Sequence, residues 1–257
     1  MLGVLGGMGP LATADFYRRL VERTPAEDDQ AHLPVLMWAD PAVPDRTAAL
    51  LGHGPSPLPS LVEGARRLRR AGATCLAVPC NTAHAYLGQV SRVTGIEVLD
   101  MVDAALRAAV RAAPGVRRVG VLATRGTRRA GLYERAAARL GVEVVHVPER
   151  VQEECVDAAV RAVKGGSDRR RAEAWVGTAA EALGGLGAQV AVAACTEIPL
   201  VAGVAARVLP LVDSTDALAD AAVARLWRPP AREVRPPGRE RARTLVPTDG
   251  RAGPHQP

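Results

Sequence analysis

The chain is written twice. Gly3-Val4-Leu5-Gly6 returns as Gly120-Val121-Leu122-Ala123 at an offset of 117, Cys80 returns as Cys195 at 115, and the pair Asp100 and Asp103 returns as Asp213 and Asp216 at 113. Three segments in the same order at nearly constant offset mark two copies of one unit, which restricts the fold to pseudo-symmetric arrangements. Each cysteine closes an apolar run and opens onto polar residues, Asn81-Thr82-Ala83-His84 in one copy and Thr196-Glu197-Ile198-Pro199 in the other. Doubly wound sheets bind ligands beyond the carboxyl ends of their strands, so a two-fold pairing of the units brings the thiols face to face across a shared cleft. Two opposed thiols suit proton chemistry from both sides of one carbon.

Short apolar runs alternate with helical patterns. Leu2 to Gly6, Val35 to Ala39, Thr74 to Pro79, Val119 to Ala123, Val142 to Val147 and Val190 to Ala194 read as buried strands, with weaker candidates at Ile96 to Leu99 and Val208 to Val212. Between them Phe16, Leu20 and Val21 share a helical face, as do Leu61, Ala65 and Leu68, then Val102, Leu106, Ala109, Val110 and Ala113, then Val156, Ala159, Val160 and Val163. Such alternation predicts an α/β fold of mainly parallel sheets covered on both faces. Two such domains are expected, residues 1–103 plus 208–227 and residues 104–207. The helix around Thr215 to Trp227 is expected to return onto the first.

Aromatic residues make up only 3% of the chain, so the cores must be aliphatic. Four irregularly spaced cysteines without a CxxC pair match neither a zinc site nor a disulfide framework. A reducing, cytoplasmic setting follows, and no stretch approaches the ~20 apolar residues of a membrane span. The net charge of +6 is concentrated at the end: residues 228–257 hold seven Arg against three acidic residues, with seven prolines. That composition predicts a disordered tail. It lacks interleaved aromatics and dense basic runs, so neither a nucleic-acid nor a membrane partner is expected.

The loop Gly6-Gly7-Met8-Gly9-Pro10 after the first strand, and Thr124-Arg125-Gly126-Thr127 after its counterpart, allow backbone N–H groups to converge on an anion at a helix start. The spacing is not GxGxxG and no Walker lysine follows, so a tight strand-to-helix turn explains the loop equally well.

Five segments in order, Gly6 to Thr13, Val43-Pro44-Asp45-Arg46-Thr47, Pro79 to His84, Leu122 to Thr127 and Cys195-Thr196-Glu197, resemble the aspartate/glutamate racemase superfamily, specifically its aspartate racemase branch. The resemblance spans residues 1 to 227. It implies a homodimeric racemase of acidic amino acids, independent of pyridoxal phosphate, with its active site between two flavodoxin-like domains. Cys80 and Cys195 are then the catalytic acid/base pair, exchanging roles with the direction of reaction. Their tuning is expected from helix starts and from Asn81, Thr82, Thr196 and Glu197. Cys75 and Cys155 read as small buried hydrophobes.

Without an electron sink, the carbanion needs donors around the substrate carboxylate, for which Met8, Gly9, Asn81, Thr82, Thr124, Gly126, Thr127 and Thr196 are candidates. The resemblance places substrate-binding cations at Arg46 and Lys164. By itself Arg46 also fits a surface loop, and Lys164 a helix-terminal cation before Gly165-Gly166. Lys164 is the only lysine, however, and an Arg would serve that second purpose as well. His84 tunes Cys80, packs or caps. The family often has Asn where Asp40 stands and Gly where Ala194 stands; these departures point to a different amino acid or to an Asp40–Arg46 pair. Aspartate is the expected substrate. The alternatives are a broad-specificity racemase, a hydantoin racemase, a maleate isomerase, or a silent redox-sensing homologue whose thiols form a disulfide. Superfamily decarboxylases use one cysteine, so the pair argues against them.

Overall fold

The computed structural model describes residues 1–229, so the expected tail lies outside the described residues beyond its first two. The first half runs β1 (Leu2–Gly6), α1 (Pro10–Arg23), β2 (Val35–Ala39), α2 (Arg46–Leu50), α3 (Leu58–Arg70), β3 (Cys75–Ala77), α4 (His84–Thr94) and β4 (Glu97–Val98). After α5 (Met101–Ala112), the second half runs β5 (Arg118–Ala123), α6 (Arg125–Arg129), α7 (Leu132–Leu140), β6 (Glu143–Val145) and α8 (Glu149–Val151). A π-helical segment, Gln152–Asp157, joins α8 to α9 (Ala158–Lys164); then come α10 (Arg169–Gly185), β7 (Val190–Ala194), α11 (Ala205–Val208), β8 (Leu211–Asp213) and α12 (Ser214–Leu226).

Each half carries one four-stranded sheet, ordered β2-β1-β3-β4 and β6-β5-β7-β8, and all the pairings are parallel. The identical order is the sequence repeat made visible. β1 and β7 are buried along their whole length, as an all-apolar strand between two helical layers requires. Four strands, β3, β4, β6 and β8, are shorter than or displaced from their apolar runs, and for two the cause is plain. Pro79 has no N–H for a ladder and the Cys80 N–H turns back to the Val78 carbonyl at 2.7 Å, which ends β3 at Ala77. Val208 closes the short helix α11, so β8 starts only at Leu211. Val21, expected on the buried face of α1, is 38% exposed; Ala12 and Thr13 take that face with Phe16 and Leu20.

The halves exchange a helix. α5 follows the first sheet, yet Val102, Ala105, Leu106 and Ala109 pack with Val119 and Val121 of β5 and Val190 and Val192 of β7. α12 follows the second sheet, yet Leu218, Ala219 and Ala222 pack with Leu2, Val4, Phe16 and Leu20. The repeated aspartates make both crossings. Asp100 accepts the N–H groups of Val102 and Asp103 at 3.0 Å, and Asp213 accepts that of Thr215 at 2.7 Å, capping α5 and α12 alike. Arg19 of α1 then clasps α12 through Asp213 at 2.6 Å and Asp216 at 2.5 Å. The expected boundaries shift accordingly: the division at 103/104 falls inside α5, and residues 211–213, expected with the first unit, pair in the second sheet.

Gly7 shows how closely the site loop is set against this frame. Its φ is +92°, and a Cβ there would lie 2.4 Å from the backbone of Asp40. Gly7→Ala is expected to cost about 2 kcal/mol or more, lowering Tm by at least about 4 °C in a thermal melt.

Candidate active site

The carboxyl ends of the central strands of both sheets meet at a tight cavity of about 10 Å³, about the room a single water needs. The first half contributes Met8, the α2 residues Arg46 and Thr47 with the preceding Asp45, and Cys80, Asn81 and Thr82 after β3. The second half contributes Thr124 after β5, Lys164 at the end of α9, and Cys195, Thr196 and Glu197 after β7. Both repeated cysteines therefore border one enclosed space, each only about 5% exposed, at 6% for Cys80 and 5% for Cys195. Gly9 lies just outside; a Cβ there would stand 3.3 Å from Glu197 Oε1.

The two thiols differ chemically. Cys195 Sγ donates to Glu197 Oε2 at 3.0 Å. Burial first, then the negative charge of Glu197, push the Cys195 thiol well above its ordinary range, with Lys164 pulling the other way. Glu197 is itself 4% exposed and accepts from Thr196 Oγ1 at 3.3 Å. Neither cysteine meets a helix end-on, contrary to the expectation from sequence. The N-cap of α4 is Ala83, three residues past Cys80, and Cys195 is followed by a single 3-10 turn, Ile198–Val201.

Arg46 is 8% exposed, not a surface arginine. Its Nη1 donates to the carbonyls of Val43 and Pro44 at 3.2 Å, and Nη2 to that of Met8 at 3.0 Å. Its Nε is buried without a partner. That N–H keeps its capacity to donate. Asp40 does not pair with Arg46; it accepts the Ala42 N–H at 2.8 Å and so closes its own turn. Lys164 makes no ion pair among the described residues, although it borders the cavity. Lys164 is exposed on its outer side; desolvation is the largest influence on its ammonium and opposes the charge, yet Glu197 and then the two sulfurs outweigh it and raise the pKa.

Several expected donors are already engaged. Asn81 Oδ1 accepts from Tyr133 at 2.6 Å and its Nδ2 donates to Ser214 at 3.0 Å. The Gly7 N–H donates to Thr13 at 2.9 Å, and the Thr127 N–H to Thr124 at 3.2 Å. Gly126 serves the meeting of the halves: a Cβ there would stand 2.8 Å from Thr47 Cα and 3.0 Å from the Thr82 methyl. The hydroxyls of Thr82, Thr124 and Thr127 form a triangle of 2.9, 2.9 and 3.1 Å across that contact. Thr82 and Thr124 border the cavity and so remain within reach of a ligand. His84 bonds the Cys80 carbonyl at 3.0 Å and the Met101 N–H at 3.0 Å, contacting no sulfur. Cys75 and Cys155 sit in separate cores, the first with its pKa pushed to about 11 by burial. Tyr133 and Ser214 escaped notice in the sequence because they reach the Cys80 loop from 52 and 133 residues away. Asp45 and Thr47 lay beside Arg46 in a recognised segment, and that adjacency was the available signal.

A sequence model of the Asp/Glu/hydantoin racemase family matches residues 5–222. The broad specificity amino-acid racemase RacX of Bacillus subtilis is 25% identical over 229 residues, 87% of this chain and 96% of that protein. Among solved structures, the aspartate racemase of Picrophilus torridus superposes with a TM-score of 0.74 at 27% identity, covering 87% of this chain and 92% of that one. The glutamate racemase of Francisella tularensis, solved with D-glutamate, shares the fold at a TM-score of 0.65 and 18% identity, covering 87% and 79%.

Glu197 holds the Cys195 thiol protonated by charge and by accepting its hydrogen bond. Glu197→Gln removes the charge, and the Cys195 pKa is expected to fall; iodoacetamide labelling of Cys195 near neutral pH, followed by peptide mass mapping, is then faster than in the unmodified protein.

Proposed function

The chain belongs to the Asp/Glu/hydantoin racemase family, and from that premise we propose that it inverts the α-carbon of an acidic amino acid, aspartate first, by proton transfer between Cys80 and Cys195. One observation carries the reading: two buried thiols from equivalent positions of a repeat border the same small cavity as Lys164 and Arg46. The cations suit the two carboxylates of the substrate, and the sulfurs suit the two faces of Cα. The steps invoke no cofactor.

Cys80, as thiolate, takes the Cα proton from one face, and the electron pair left behind spreads into the α-carboxylate. Hydroxyls of Thr82, Thr124 and Thr196 stand at the cavity to stabilise that charge. The Cys195 thiol then gives its proton to the opposite face. The product is the mirror image, Cys80 has become the thiol and Cys195 the thiolate, and no proton is gained or lost overall. The swapped enzyme serves the reverse direction, and Glu197, 3.0 Å from Cys195 Sγ, lies where a proton can be returned. The raised pKa of Cys195 supports it as the resting thiol. A homodimer in the cytoplasm is the accompanying expectation, drawn from the family resemblance.

A broad-specificity racemase is the second reading, favoured by a larger space of about 610 Å³ that adjoins the cavity at Arg46, Lys164 and Glu197 and is walled by Leu11, Pro41, Val43, Val163 and Leu200. An apolar side chain would find room there that aspartate does not use.

Incubating the protein with single L-amino acids in deuterium oxide and following both Cα–H loss and chirality ranks these readings. Aspartate inverted fastest supports the first, and apolar residues inverted as fast support the second; no exchange with any of them sinks both. Cys80→Ser and Cys195→Ser are each expected to lower inversion by at least about 10²-fold. Arg46→Met is expected to raise KM for aspartate far more than for alanine in the same assay.

A further inference from the structure

Building on the two-thiol reading, we infer that His84 is a positioning residue: one neutral imidazole couples the Cys80 loop to the crossing helix α5 and so fixes Cys80 relative to Cys195. The tautomer follows from the partners. The Met101 N–H can only donate, so Nε2 accepts, and the proton sits on Nδ1, which donates to the Cys80 carbonyl. Met101 is the first residue of α5, and its N–H is one that no intrahelical carbonyl reaches. Asp100 takes the next two N–H groups and its carbonyl takes that of Ala104, so His84 completes the set.

This link spans the halves. α5 packs its apolar face on β5 and β7, in the same buried cluster as Ala194, the residue before Cys195. The path from one sulfur to the other therefore runs Cys80 carbonyl, imidazole, α5, end of β7, Cys195. The adjoining Asn81 makes the companion contact, donating to Ser214, the first residue of the other crossing helix. The second half has no counterpart to the imidazole: the offset of 115 places Pro199 opposite His84, and while the carbonyls of Cys80 and Cys195 each accept the N–H three residues on, from Ala83 and Ile198, that of Cys80 also takes the His84 ring. The cross-half brace on the sulfurs is thus one-sided, and His84 is the side chain in it that holds a cysteine's own carbonyl.

A two-base inversion is sensitive to this spacing in a way that single-face exchange is not. Cα–H loss needs one sulfur near substrate, whereas inversion needs both. His84→Asn keeps a donor near Nδ1 and loses the acceptor, while His84→Gln reaches Met101 and loses the Cys80 contact. Met101→Pro deletes the donor at a first helical position, where proline is tolerated, and Met101→Ala controls for the lost side chain. Each variant is incubated with L-aspartate in deuterium oxide, with Cα–H loss read by NMR, inversion by chiral chromatography and Tm as the fold control. His84→Asn, His84→Gln and Met101→Pro are expected to slow inversion about tenfold to a hundredfold while slowing Cα–H loss less, raising the ratio of exchange to inversion; Met101→Ala leaves that ratio at the wild-type value. An unchanged ratio in folded His84 variants and in Met101→Pro overturns the assignment. A wild-type protein that neither exchanges nor inverts aspartate overturns the two-thiol reading instead, so the two failures are told apart.

Discussion

The exchange of α5 and α12 between the halves is the constraint on which the site depends. A cavity bordered by loops from two sheets keeps its shape only if the sheets keep their relation, and loops alone cannot ensure that. Here each half buries the other's last helix: Leu106 lies in the second core and Leu218 in the first, both fully buried. Sliding one half against the other would expose those faces, at about 1.5–3 kcal/mol for each large aliphatic side chain. The capped ends at Asp100 and Asp213, and the Arg19 clasp, fix where each helix begins its crossing.

On this symmetric frame the site itself is asymmetric. Cys195 donates to a carboxylate and has only a 3-10 turn behind it; the Cys80 sulfur makes no such bond among the described residues, and its loop is held by Asn81 and His84. A reaction that uses one sulfur as acid and the other as base can use that difference, since the carboxylate beside Cys195 favours its thiol form. The duplication supplies opposed positions, and divergence of the residues beside them supplies different chemistry.

The cations are arranged by similar economy. Arg46 is held by three carbonyls that orient it without neutralising it, and Lys164 stands clear of every described carboxylate by more than ion-pair distance. Elsewhere arginines and acids pair freely, as Arg125 does with Asp157, Glu149 and Glu153. Positive charge left unpaired at a cavity is what a dicarboxylate needs.

The repeat, the parallel strands and the two cysteines were legible in the linear chain because each is a local pattern, either a period of apolar residues or a segment recurring at constant offset. Arg46 and Lys164 were legible through neighbouring residues and, for Lys164, through its singularity. What the chain could not disclose were the partners. Asn81, Gly126 and Thr127 looked like free donors, yet Tyr133, Thr47 and Thr124 occupy or crowd them; Asp40 looked like a partner for Arg46 and closes its own turn instead. The boundary near residue 100 was misplaced because an amphipathic helix shows that it has a buried face and not whose core receives it. Sequence fixes what each segment can bury or donate, whereas the choice among distant acceptors is made only when helices cross and their surfaces compete for the same contacts.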